Sequence, residues 1–125
     1  MVPVYIGSAI IFVWGVGHLV ATRSVVAGYG ELTVDNRRIL TMEWVAEGLT
    51  LCFLGVLPSL VAGSGGLALP PGRAAVYAAA AMLFVLAGLS AATGAKTSVV
   101  PMKACPIVKT VTAALYVAGV GLAGP

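Results

Sequence analysis

Apolar positions in this chain gather into four long runs, with polar residues collected mainly between them. The runs cover about residues 3–22, 39–62, 74–95 and 104–123. Each approaches or exceeds the ~20 apolar residues that a membrane-spanning helix needs. The first carries His18 as its only charged or imidazole side chain, the second Glu43 and Glu47, the fourth Lys109, and the third none. Lipid offers no partners to free backbone groups, so each run is expected to be helical, and four spans are too few for a closed barrel. The predicted architecture is all-α, an integral membrane four-helix transmembrane bundle forming one domain over residues 1–125.

Turn-forming residues fall where these boundaries need them. Glycines 63, 65 and 66 and the run Pro70-Pro71-Gly72 bracket the second connection, and both are loop signals. Pro106 suits the first turn of the fourth helix, where its missing N–H costs little. The first connection is the longest, and its end is expected to be helical already. Thr33 is the candidate N-cap, with Asp35 favoured by the positive helix N-terminus.

Composition agrees with the pattern. Apolar residues make up 60% of the chain and charged residues only 9%, against roughly a quarter in a water-soluble domain. Apolar surface must therefore face lipid. The first run lacks a basic leading segment and exceeds the 7–15 residues of a cleaved apolar core, so a retained helix is expected. Cys52 lies deep in the second run and Cys105 at the start of the fourth, giving a depth difference on the order of 15 Å. A disulfide needs Cα atoms within about 7 Å, so both thiols are expected to be free and to pack as small apolar groups.

Charge then sets orientation. Arg23, Arg37 and Arg38 lie in or beside the first connection, and Lys96, Lys103 and Lys109 in or beside the third. Arg73 alone serves the second. The positive-inside rule places the first and third connections in the cytoplasm and both termini on the other side. A multi-pass protein of a bacterial inner membrane is the expected setting. The basic residues are membrane-side anchors, and nothing suggests nucleic acid.

The same half of the bilayer collects the polar residues. On the second span Asn36, Glu43, Glu47 and Thr50 share one stripe, as do Trp14, His18 and Thr22 on the first and Lys109, Thr112 and Tyr116 on the fourth. Counting from the expected span ends puts His18, Glu43 and Lys109 at one depth, with Glu47, Trp14 and Tyr116 a turn or two deeper. An ionised group at the bilayer centre costs about 3 kcal/mol or more, so Glu47 is expected to face inward, with Lys109 and His18 as partners. Glu47, Glu43 and His18 are the candidate catalytic groups. Trp14, Asn36, Thr50, Lys109 and Tyr116 are the candidate substrate-binding groups. Each has a plainer reading: an interfacial acid for Glu43, a structural histidine for His18, a snorkelling Lys109, and packing or belt residues for Trp14, Trp44 and Tyr116. Gly15, Gly17, Gly88, Gly119, Gly121 and residues 78–81 are small enough to let helices approach closely.

No metalloprotease, nucleophile-elbow or phosphate-loop motif is present. Glu43 and Glu47 with the distant His18 give too weak a spacing for a metal site, so none is expected, and no cofactor is specified. In architecture alone the chain resembles small four-span bacterial bundles such as the DoxX-like proteins, a resemblance that assigns no residue. Three functions fit. The first is an enzyme or binder acting on a lipophilic small molecule by acid/base chemistry, of isomerase or epoxide-opening type, with its site between spans one, two and four. The others are a small proton-coupled transporter and an accessory subunit of a membrane complex. The partners expected are the lipid bilayer, a lipophilic ligand and further copies in a homo-oligomer.

Overall fold

The computed structural model describes residues 1–124 and contains four long helices and no strand among them. They are α1 (Val2–Ala27), α2 (Val34–Gly63), α3 (Pro70–Ala92) and α4 (Val100–Leu122), with short 3-10 turns at Gly66–Ala68 and Gly94–Lys96. All four are long and apolar enough to cross a membrane. The protein is an all-α, multi-pass membrane bundle.

Helix limits depart from the hydropathy boundaries in ways that matter for the site. The α2 helix starts at Val34 because Thr33 caps it, its Oγ1 accepting from Asn36 N at 3.2 Å. Its 30 residues span ~45 Å, more than a ~30 Å hydrocarbon core, so one end must project. The α1 helix continues past the expected end at residue 22 to Ala27, and α4 begins at Val100 with Pro101 in its first turn. Pro106 therefore lies inside α4, not in the first turn as its type suggested. Pro101 takes that place.

Packing is uneven around the bundle. The α1 helix packs closely on α2 and also on α4, and α3 packs on α4, whereas α2 and α3 scarcely touch. Two seams close through glycine. A Cβ on Gly15 would sit 2.8 Å from Cys52 N and Gly48 O, and one on Gly55 would sit 2.8 Å from Ser8 O, so α1 and α2 meet backbone to backbone. Gly119 brings α4 close to α1 in the same way, a Cβ there lying 3.0 Å from Val4 N. By contrast Gly17, Gly88 and Gly121 have open space around them. Small size at those positions serves no contact within the chain, contrary to expectation.

Tyr116, fully buried, joins α4 to α2. Pro58 has no N–H to offer Leu54 O four residues back, and the Tyr116 hydroxyl donates to that carbonyl at 2.8 Å instead. At the far end of the bundle the Arg73 guanidinium donates to Gly124 O at 2.6 Å, tying the start of α3 to the end of α4.

Candidate functional site

Where α2 and α3 part, a cavity of about 470 Å³ opens, a size suited to a small organic ligand. Its walls include Leu40 of α2, Leu86 and Leu89 of α3 and Met102 of α4, and its polar lining includes His18, Glu47, Ser90, Cys105 and Lys109. Leu89 and Thr50 line it from exposed positions on the side of the bundle, and Tyr29 and Thr93 from exposed positions at the end of the bundle near the first and third connections, so the cavity is open both to the side and toward that end.

His18, 8% exposed, is held from three directions. Its Nδ1 lies 3.0 Å from Trp14 O. A carbonyl only accepts, so Nδ1 carries the hydrogen and Nε2 is left for the cavity side. The Trp44 ring stacks on the imidazole with centroids 4.9 Å apart and planes at 21°, and Trp14 meets it edge-on at 6.0 Å. Trp44 Nε1 donates to His18 O at 2.8 Å, and Thr22 Oγ1 donates to the same carbonyl at 3.1 Å. Tautomer and ring direction are thus set by helix packing, before any ligand binds.

Lys109, only 1% exposed, donates to Glu47 Oε1 at 2.6 Å and to Ser90 Oγ at 2.8 Å. Such a buried ammonium demands partners. Its three hydrogens leave one for a third group. Glu47, whose side chain is 32% exposed, faces His18 Nε2 at 4.0 Å as well. Ser90 is held by Leu86 O at 2.8 Å and lies 3.8 Å from Cys105 Sγ.

Cys105 is buried, free, and set among His18, Lys109 and Trp14. A ring nitrogen of His18, a Glu47 oxygen and Cys105 Sγ lie within 4.8 Å of one another. Nitrogen, oxygen and sulfur donors from three helices are a set that zinc accepts. The Lys109 ammonium, however, already occupies the Glu47 oxygen nearest the imidazole. A metal there would compete with a fixed cation. The Trp14 indole N–H is buried without a hydrogen-bond partner among the described residues, on the side of the cluster where Cys105 lies.

Three of the expected groups, His18, Glu47 and Lys109, come together here. Glu47, not Glu43, stands level with the other two. The depth count went astray because it took the helix ends as level: His18, Glu43 and Lys109 do lie equally far from Ala27, Val34 and Val100, but the contacts of Glu47 with both partners place the start of the longer α2 about a turn beyond those ends. Glu43 and Thr50 line the cavity from exposed positions. Asn36 is exposed at the start of α2 and does not line the cavity, and Tyr116 seals the bundle elsewhere.

Other groups at the site escaped the sequence reading. Ser90 brings α3 into a site expected between spans one, two and four, and Trp44 belongs to the polar cluster as a partner of His18. Cys105 is a cavity residue and more than a small packer. A signal for Cys105 did exist, since it precedes Lys109 by four residues and so shares its face. Ser90 gave none, being one serine in a run without a charged residue. No family model, curated protein or solved structure matches the chain.

Proposed function

We propose that this protein takes a lipophilic small molecule from the bilayer into the cavity between α2 and α3 and acts on it by acid/base chemistry. One observation carries the reading: a side-opening, apolar-walled cavity ends on a prepositioned imidazole and a paired, buried ammonium. Lipid-soluble molecules can reach such an opening without crossing water. His18 Nε2, with its tautomer fixed by Trp14 O, is the proton acceptor and later donor. Glu47 steadies the imidazolium that forms, and Lys109 offers its remaining N–H to a substrate oxygen. Proton transfer, isomerisation or epoxide opening fits such groups, since none demands electrons from elsewhere.

The setting completes the proposal. With Arg23, Arg37, Arg38, Lys96 and Lys103 at the end of the bundle that holds the site and Arg73 at the other, the positive-inside rule puts the cavity in the cytoplasmic half of a bacterial inner membrane, both termini opposite. The test is native mass spectrometry of the protein purified in nanodiscs. A lipophile of small-molecule mass should accompany the wild type. It should be lost in Leu89→Trp, which fills the cavity mouth from a 60% exposed position without touching the His18 cluster. Equal retention of that lipophile by both proteins would sink the reading.

A further inference from the structure

We propose that Cys105 is the nucleophile of a covalent acyl-transfer step on a lipophilic ester or thioester held in this cavity. The inference rests on the preceding reading that the cavity admits a lipophile, and goes beyond it in naming a bond. Cys105 Sγ lies within 4.8 Å of a His18 ring nitrogen and 3.8 Å from Ser90 Oγ. The His18 ring is oriented through Nδ1 by a backbone carbonyl at 3.0 Å, so a nucleophile, a base and an orienting group stand in sequence. Around the sulfur are donors with capacity to spare: the third N–H of Lys109, and the buried Trp14 indole N–H, which has no hydrogen-bond partner among the described residues. An unpaired buried donor is costly in a resting protein. It becomes useful when negative charge develops beside it, on a thiolate or on a carbonyl oxygen under attack.

The step balances without an external oxidant or reductant. His18 Nε2 takes the Cys105 proton while Sγ bonds to the acyl carbon, and the carbonyl electrons move to oxygen beside Lys109. Collapse of that tetrahedral species breaks the bond to the leaving oxygen or sulfur, which departs with the proton from His18. A thioester on Cys105 and a free alcohol or thiol result. Water or a second acceptor, deprotonated by the same imidazole, then attacks the thioester and returns the thiol. An acyl substrate is preferred to an alkylating one because a thioester reopens, whereas a thioether would end turnover after one event.

The probe is p-nitrophenyl octanoate, added to the full chain in nanodiscs and followed by nitrophenolate release and by intact and peptide mass spectrometry. The expected result is one octanoyl group on Cys105, released with a matching burst of nitrophenolate. Labelling should vanish in Cys105→Ser, a near-isosteric change that keeps the packing, and persist in Cys52→Ser. His18→Gln, checked for unchanged helix content, should acylate on the order of a hundredfold more slowly, the usual scale for losing a positioned base. Octanoyl groups on Cys52 or on lysines at rates equal to Cys105, or an unchanged rate in His18→Gln, would overturn the proposal. Displacement of the co-purifying lipophile by the probe without acylation would reject the covalent step and leave the cavity reading standing. Failure of both displacement and acylation would remove the two together.

Discussion

The α1–α2 seam and the α2–α3 seam share a helix and differ in almost every other respect. Along the first, α2 offers Gly48, Cys52 and Gly55 to α1, and the two backbones come so near that a single Cβ at Gly15 has no room. Along the second, α2 offers Leu40, Glu43, Glu47 and Thr50 to α3, which answers with Leu86, Leu89 and Ser90 across a cavity. One face is closed by absence of side chain and the other is held apart by its presence. A helix in lipid gains little from the hydrophobic effect when it meets another, since acyl chains are as apolar as leucine, so closeness must come from fit and hydrogen bonds. The seam with small residues therefore closes. The seam with long ones stays open unless something fills it.

The largest effect should come from the floor of the open seam. Glu47→Leu leaves the Lys109 ammonium, 1% exposed, with Ser90 alone, and stranding a buried charge in this way costs about 3–5 kcal/mol. Lys109→Met should cost less, about 1–2 kcal/mol, because the Glu47 side chain is 32% exposed and can hydrate. The double variant should recover most of the loss. Equilibrium unfolding in mixed micelles measures all three. Equal costs for the two single changes would mean that the pair is wet, and the description of the floor as buried would fail.

Next comes the closed seam. Gly15→Leu forces a side chain against Cys52 N and Gly48 O, which are backbone atoms and cannot rotate away. Overpacking of that kind costs about 3 kcal/mol. Gly88→Leu, on a helix with nothing near that position, should instead gain about 0.5 kcal/mol from helix propensity. Opposite signs for the same substitution are the expected outcome of the same unfolding measurement. Loss at both sites would show that Gly88 faces a second copy of the chain and not lipid.

How far the sequence could tell these seams apart is plain from particular residues. Four spans were readable because apolar run length is a property of the solvent, and lipid imposes it on every segment alike. Glu47 and Lys109 were readable as inward-facing because an unpaired charge in hydrocarbon is expensive wherever it sits. Which glycines made contact was not. Gly15 and Gly88 are the same residue in similar surroundings along the chain, and only the choice of neighbouring helix separates them. Ser90 and Trp44 were hidden for the same reason, since their partners lie on other helices. The level of His18 against Glu47 failed because counting from span ends assumes that the ends lie level, and the 30-residue α2 reaches about a turn beyond its neighbours.

An effect smaller than the loss at Glu47 or at Gly15 tests where the open seam ends. Tyr116 donates to Leu54 O because Pro58 supplies no N–H to that carbonyl, so α4 is fastened to α2 at a defect in the α2 ladder. Ser8 Oγ, 3.3 Å from the same hydroxyl, adds α1 to the contact. Tyr116→Phe should cost about 2 kcal/mol, the scale for leaving a buried carbonyl unpaired. If the missing N–H is the cause, Pro58→Ala should rescue the Tyr116→Phe protein by about 1 kcal/mol, because the restored amide can bond Leu54 O within the helix. The same Pro58→Ala change in the wild type should gain less, since the carbonyl there already has a partner. A double-mutant cycle by unfolding reads that difference directly. Additive effects would mean that Tyr116 matters for its ring alone, and that the cavity is closed off below Glu47 by packing without the hydrogen bond between α4 and α2.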